Sequence, residues 1–280
     1  MAPFTKGRIC FIDYLCGKVQ NVPPINLHFM ILENLLNQMA TRRSVRRYTA
    51  EQVSDECLQQ LLTAAERTQT MGNLQLYSVV ITRSDEMKQR LAPCHFNQPM
   101  VTEAPVVLTF CADYARVSAW CRHRSAEPGY ENFLSFVNAA TDALLYCQTF
   151  CTLAEAAGLG LCFLGTTIYQ PNGIIDALHL PELVMPVATI TLGYPDEHLP
   201  QTDRLPITAI MHQEHYALPT LEDINRDYAG KEALPENLKF TRENGKQTLA
   251  QVYTDVRYTQ QDCEEMSKEL LSALRRQKFL

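Results

Sequence analysis

Four arginines lie within six residues, in the segment Arg42-Arg43-Ser44-Val45-Arg46-Arg47. An arginine guanidinium offers a rigid fork of donors that suits a phosphate group, and a serine hydroxyl adds one more donor. A loop that enters a helix also presents free backbone N–H groups to an anion. Two interpretations stay open from these residues alone: a phosphate-binding loop, or a solvated basic turn between two helices.

Two further polar patterns are less specific. Arg204, which follows a predicted strand, suits either a bound anion or a surface ion pair with Asp203 or Glu197. His212 and His215 have the spacing of two metal ligands on a helix, but no third ligand follows at a recognisable spacing. The sequence therefore predicts no metal site.

A glycine pattern runs from Gly158 through Gly160 to Gly165. It follows a helix rather than opening one, so it is not a dinucleotide-binding fingerprint. It is compatible with a helix cap followed by close packing, or with a backbone that approaches a flat ring. No Ser, Cys or His stands in a sequence motif typical of a nucleophile, and no catalytic side chain is predicted.

Composition narrows the class of protein. The 280 residues carry 25 Lys and Arg against 31 Asp and Glu, a balance that argues against a nucleic-acid partner. Ten cysteines without a C-x-x-C pair indicate free thiols in a reducing cytoplasm. No apolar stretch approaches the ~18 residues of a membrane-spanning helix, so no membrane partner is predicted.

The apolar spacing predicts interleaved helices and strands, typical of an α/β or α+β fold. A helical run opens at Met30, and Thr49-x-x-Gln52 resembles the capping box of a second helix. A helix over 133–157 is apolar nearly all round, so we expect it to be buried on more than one side or to face a partner subunit. Strands are predicted at 75–82, 105–112 and 185–195, and a short buried strand or an extended segment at 159–165. Further helices are predicted at 171–180 and 261–276, and an extended segment at 249–259.

Four segments, taken in order, resemble the nitroreductase and flavin reductase family, nearest its larger NADPH-dependent branch. They are TRRSVRRYT, NQPMVTEAPVVL, AEAAGLGLCFLG and LGYPDEHLPQTDRLP, and the resemblance covers about residues 31–216. It implies an α+β fold with a central mixed or antiparallel sheet flanked by helices. It also implies an intertwined homodimer with FMN in each interface cleft. We expect residues 1–29 to be a disordered tail or the product of a misassigned start. Residues 30–216 would form the FMN-binding core, and 217–280 an arm that packs on the partner subunit.

The same resemblance implies a set of FMN-binding residues. One group would hold the phosphate and ribityl chain, a second would lie along the flavin ring, and a hydroxyl would make one further contact. The first group comprises Arg42, Arg43, Ser44, Arg46 and Arg204, the second Gln98, Leu164 and Gly165, and the hydroxyl is that of Thr70.

This chain departs from the branch in three places. The branch often has His-Arg-Ser where this sequence has Arg42-Arg43-Ser44, and a Lys at the position of Thr202. A Gly-Gly pair of some relatives is Gly165-Thr166 here. These changes leave the preference between NADPH and NADH, and the choice of substrate, open.

The resemblance implies an FMN-dependent oxidoreductase that takes hydride from NADPH or NADH. It would reduce a nitroaromatic, a quinone or free flavin by a ping-pong mechanism, with the flavin carrying the chemistry. Two alternatives stay open. One is a different flavoenzyme reaction on the same fold, such as dehalogenation or ring desaturation, and the other is a non-catalytic flavin-binding or storage protein.

Overall fold

The computed structural model describes residues 24–197 and 199–280, with side chains from residue 32 onward. The chain divides into two compact units. The first comprises the residues up to Pro200 together with Glu269–Leu280, and the second is Gln201–Lys268. Most of the expected tail, residues 1–23, lies outside the described residues. The expected division at residue 216, which concerns contact with a partner subunit, stays a prediction.

A four-stranded antiparallel sheet forms the centre of the first unit. Its strands are β1 (Tyr77–Thr82), β2 (Val106–Asp113), β3 (Gly160–Leu164) and β4 (Val184–Gly193). The spatial order is β1-β2-β4-β3, and each neighbouring pair is antiparallel. The three predicted strands are present, the segment 159–165 contains the strand β3, and the α+β class is confirmed.

Helices cover both faces of this sheet, which is why β2 and β4 are buried along their whole length. The helices of this unit are α1 (Pro24–Thr41), α2 (Asp55–Ala65), α3 (Asp85–Leu91), α4 (Pro99–Glu103), α5 (Ala115–Arg122), α6 (Phe133–Ala156) and α7 (Pro171–Leu178). On one face, the long helix α6 and helix α2 pack in a large core with side chains such as Phe110 and Leu108 of β2. On the other face, Val107, Cys162 and Leu164 pack against helices α3, α4 and α7.

The second unit is helical. It contains α8 (Leu221–Glu232), α9 (Pro235–Glu243), α10 (Leu249–Val252) and most of α11 (Gln260–Arg276). The end of α11 belongs to the first unit, where Leu274 and Phe279 are buried in the larger core. The last residues of the chain therefore contribute to the core of their own subunit.

Two predicted helix starts and one predicted extended segment are wrong. The second helix is capped by Ser54, whose Oγ accepts the Cys57 N–H, because the chain at Thr49 is still tied to the end of β4 by its N–H to Tyr194 O. Helix α1 begins at Pro24 rather than Met30. The segment 249–259 is not extended but forms α10 and a π-helical turn, because Thr248 and Gln251 form a capping box that starts a helix.

Across the part of the chain that the structure describes, no helix is both long enough and apolar enough to span a bilayer.

Candidate functional site

The arginine segment leaves α1 and crosses β3, to which it is fixed. The Val45 N–H donates to the carbonyl oxygen of Leu161 at 2.9 Å. A Cβ on Gly160 would lie 2.8 Å from the Val45 Cβ, a distance that real Cβ atoms do not show. Only glycine therefore allows this close approach, and the pattern found in the sequence acts here as a packing site.

Glu197, just after β4, binds the far end of the arginine loop. Its Oε1 accepts the N–H groups of Arg46 at 2.6 Å and Arg47 at 3.1 Å, and its Oε2 accepts Nε of Arg47 at 3.1 Å. Burial alone would raise the pKa of Glu197, but these hydrogen bonds outweigh it and hold the pKa below its usual value. The backbone amides expected to be free for an anion are thus occupied at Arg46 and Arg47, because a carboxylate of the chain itself uses them.

The start of the loop borders a cavity of about 230 Å³. There Arg42 forms an ion pair with Glu155 of α6 at 3.3 Å, and Nη1 of Arg43 donates to Leu199 O at 3.0 Å. Burial raises the pKa of Glu155, and Arg42 opposes this effect. Within the described residues, Arg42 and Arg47 are the members of the cluster that pair with carboxylates. No carboxylate of the described residues therefore forms an ion pair with Arg43 or Arg46.

The side chain of Arg46 contacts Cys162 of β3. Burial raises the pKa of the Cys162 thiol, and the hydrogen bond and positive charge of Arg46 oppose this effect. Ser44, between the charged side chains, is half-buried. Arg42, Arg43, Ser44 and Arg46 thus lie at one end of β3, and their role in binding a phosphate stays a prediction.

The other end of β3 carries the predicted ring contacts. Leu164 is buried in the smaller core, whereas Gly165 is exposed, and a Cβ built on it would meet no atom within 4 Å. Thr166 is joined to the buried His95 by a hydrogen bond of 2.7 Å. Gln98 follows three residues after His95 and is half-buried immediately before α4.

Thr70 lies on a different segment of the first unit, and Arg204 belongs to the second unit. Thr70 precedes a 3-10 turn, Met71–Asn73, and this turn is tied to α6 because the Asp142 carboxylate accepts the Met71 N–H at 2.8 Å. Nη1 of Arg204 donates to Thr202 Oγ1 at 2.8 Å. Among the described residues, the Asp203 carboxylate pairs with Lys231, and Glu197 pairs with Arg47. A role for Thr70 or Arg204 at the flavin stays a prediction.

Sequence reasoning missed three residues that shape the site. Glu197 appeared only as a partner for Arg204, and His95 gave no signal because a lone histidine has no spacing to interpret. Asp142 could have been found, since it is the one acidic residue within the apolar stretch from 133 to 154. A carboxylate that is fully buried there must accept hydrogen bonds, and it takes those of Met71 and Leu76.

Comparison with known proteins shows the family. The model of the nitroreductase family matches residues 39–194. The FMN reductase [NAD(P)H] of Bacillus subtilis is 30% identical over 219 residues, which cover 78% of this chain and 87% of that protein. A candidate oxidoreductase from Bacteroides fragilis, known as a crystal structure, is 59% identical with a TM-score of 0.86, covering 87% of this chain and 99% of that one. The structure of NfrA2 from B. megaterium is 30% identical with a TM-score of 0.76, covering 88% and 98% of the two chains. The chain belongs to the nitroreductase family.

Proposed function

We propose that this chain is an FMN-dependent oxidoreductase that takes hydride from NADPH or NADH and reduces a small-molecule acceptor. The observation that carries the proposal is that β3 has the basic loop at one end and Gly165, with open space beside its backbone, at the other. The four residue steps from Leu161 to Gly165 span about 13 Å in an extended strand. FMN is elongated, with a phosphate at one end and a flat ring at the other, and these residues fit both ends.

The residues of the chain have separate roles in this proposal. Arg42, Arg43, Ser44 and Arg46 bind the phosphate and the ribityl chain, with Arg204 completing the phosphate site. Arg43 and Arg46 suit this role because they carry positive charge that no carboxylate of the described chain neutralises by an ion pair. Binding an anionic group beside a partly buried loop requires such compensating charge.

The ring end is built from backbone and small side chains. Gly165 leaves open space where a flat ring can approach the backbone, and Leu164, Gln98 and Thr70 are the further predicted contacts. When bound, FMN supplies the hydride-accepting chemistry, and the protein contributes binding and orientation. We therefore assign no side chain of this protein as an acid, a base or a nucleophile.

The exposed setting of Gly165 supports a ping-pong mechanism. If the nicotinamide and the acceptor approach the same open side, they cannot occupy it together and must bind in turn. Initial-rate measurements at several fixed acceptor concentrations should then give parallel lines in a double-reciprocal plot. Intersecting lines would instead show that both substrates are bound at once.

A direct test of the function uses the purified protein. It should be yellow, and NADPH or NADH without an acceptor should bleach its flavin absorption. A flavin that does not bleach would indicate the storage alternative, and a protein that binds no FMN would refute the proposal. A panel of nitroaromatics, quinones and free flavins, with halogenated phenols as substrates for the dehalogenation alternative, would then identify the acceptor.

We also propose that the chain works as a homodimer. Helix α6 is buried against the sheet on one side but exposes Phe133 at 50% and Leu134 at 68%. Helix α1 is linked to α6 by Gln38, whose Nε2 donates to Thr152 O at 2.7 Å, and it exposes Leu32 and Leu36. Exposed apolar side chains on two adjoining helices are typical of a protein interface. Light scattering should give about twice the chain mass of 31.8 kDa.

Two further proposals concern context and boundaries. No disulfide joins any of the eight cysteines among the described residues, which supports a reducing cytoplasm as the location. We propose that residues 1–29 are dispensable and that residues 217–280 contact the partner subunit. A chain that starts at Met30 should keep its flavin content and melting temperature. A clear loss of either would show that the early residues, which include the first turns of α1, are structural.

A further inference from the structure

His95 occupies a position between the two segments that are proposed to line the flavin ring. It ends a 3-10 turn, Ala92–His95, and its side chain is fully buried. The next two residues, Phe96 and Asn97, have φ of 54° and 52°, so the backbone reverses sharply before Gln98. Hydrogen bonds from the Asn97 N–H to Ala92 O at 2.8 Å and from the Gln98 N–H to His95 O at 3.2 Å fix this reversal.

The imidazole connects this turn to the end of β3. Its Nδ1 and the Oγ1 of Thr166 are 2.7 Å apart, and Thr166 directly follows Gly165. Thr166 stands where some relatives have a second glycine, so the hydroxyl that His95 contacts is one of the departures of this chain from its family. The bond therefore connects Gly165, through its neighbour Thr166, to the turn that leads to Gln98.

Core packing alone does not explain a histidine here. No donor or acceptor of the described residues reaches its buried Nε2, and burial lowers its pKa to about 4. A buried polar atom without a partner destabilises the fold, whereas a leucine would fill similar space without this cost. Within the described part of the chain, the one polar contact of the ring that offsets this cost is its bond to Thr166.

We propose that His95 is a positioning residue for the flavin site, which through Thr166 holds the Gly165 backbone where the flavin ring lies. The inference rests on the proposed function, because it concerns FMN bound along β3. His95 itself does not touch the reacting atoms. A backbone that is held in one position interacts differently with oxidised and reduced flavin. Loss of the hydrogen bond between His95 and Thr166 therefore changes both the affinity for FMN and the reduction potential.

Three variants test this role in the full-length protein. His95→Leu removes the hydrogen bond, His95→Asn keeps an amide group near the position of Nδ1, and Thr166→Val removes the hydroxyl with little change in shape. We expect His95→Leu and Thr166→Val each to weaken FMN binding about fivefold to tenfold, as for the loss of one hydrogen bond. His95→Asn should restore most of the affinity, and the double variant should lose no more than either single variant.

The reduction potential of the bound flavin separates positioning from structure. If reduced FMN loses ten times more affinity than oxidised FMN, the two-electron potential falls by about 30 mV. Tyr146→Phe is the matched control, because it removes another partly buried hydrogen bond, that of Tyr146 OH to Leu62 O at 2.9 Å. It should lower the melting temperature and leave the potential unchanged.

The outcomes are distinct. A wild-type protein that binds no FMN would refute the proposed function. A different result would overturn the positioning role alone. In that case the wild type binds FMN, and His95→Leu and Thr166→Val melt at lower temperatures but keep the wild-type FMN affinity and reduction potential. If His95→Leu does not fold, Thr166→Val decides the question, because it breaks the same bond from a half-buried side chain.

Discussion

Protonation of His95 should destabilise the fold at mildly acidic pH. The side chain is fully buried, and burial lowers its pKa from 6.5 to about 4. Between these two values the unfolded chain binds a proton that the folded chain does not, so the free energy of unfolding decreases as the pH falls. The contribution of neutral His95 is present above pH 6.5 and is lost as the pH falls through the folded pKa.

The size of this effect follows from the two pKa values. At 1.36 kcal/mol for each pH unit, the gap between 6.5 and about 4 corresponds to about 3 kcal/mol. The same linkage gives a loss of about 2 kcal/mol between pH 7 and pH 5, a range in which the measurement is practical.

Urea unfolding followed by far-ultraviolet circular dichroism measures this loss. Flavin-free protein should be used, because bound FMN adds its own stabilisation. Between pH 7 and pH 5, the free energy of unfolding of the wild type should fall by about 2 kcal/mol more than that of His95→Asn. His123→Asn, at an exposed histidine, should follow the wild-type curve. Parallel curves for the wild type and His95→Asn would refute the reasoning.

Three other predictions concern the site and its support. Arg42→Ala and Arg204→Ala should each weaken FMN binding by ~1.5–3 kcal/mol, the range for hydrogen bonds to charged groups, and unchanged affinity in both by fluorescence titration would contradict the phosphate site. Gly165→Val should lower the FMN affinity at least about tenfold, because a side chain would occupy the space of the ring. It should leave the melting temperature of flavin-free protein nearly unchanged, because nothing lies within 4 Å of a Cβ there. Equal FMN binding would show that the ring lies elsewhere. Asp142→Asn should lower the free energy of unfolding by about 2–3 kcal/mol, because an amide replaces the carboxylate that accepts two N–H groups of the loop 71–76; an unchanged urea midpoint would contradict this role.

The strands were predictable because burial on both faces requires continuous apolar runs. β2 and β4 have such runs, and the boundaries expected at 105–112 and 185–195 differ from the observed strands by one or two residues. The segment 249–259 was predicted to be extended because its apolar residues alternate. A capping box at Thr248 outweighs that alternation, since it fixes the start of a helix through two hydrogen bonds.

The site was predictable only in part, because some of its contacts join residues far apart in the chain. The arginines are visible in the sequence as a local cluster. Glu197 lies about 150 residues from the amides that it binds, and nothing in its neighbourhood indicates that partner. His95 and Thr166 are likewise separated by 71 positions, so only the fold brings them together.

The carboxylate of Glu197 has a consequence for the entropy of ligand binding. Because it holds the amides of Arg46 and Arg47 and Val45 is bound to β3, the loop is ordered before any flavin arrives. A preorganised site does not lose conformational entropy when its ligand binds, so more of the interaction energy appears as affinity. The same rigidity limits adaptation, since a loop held by these hydrogen bonds fits one position of an anionic group. Selectivity among flavin ligands would then arise from the shape of the empty protein rather than from closure around the ligand.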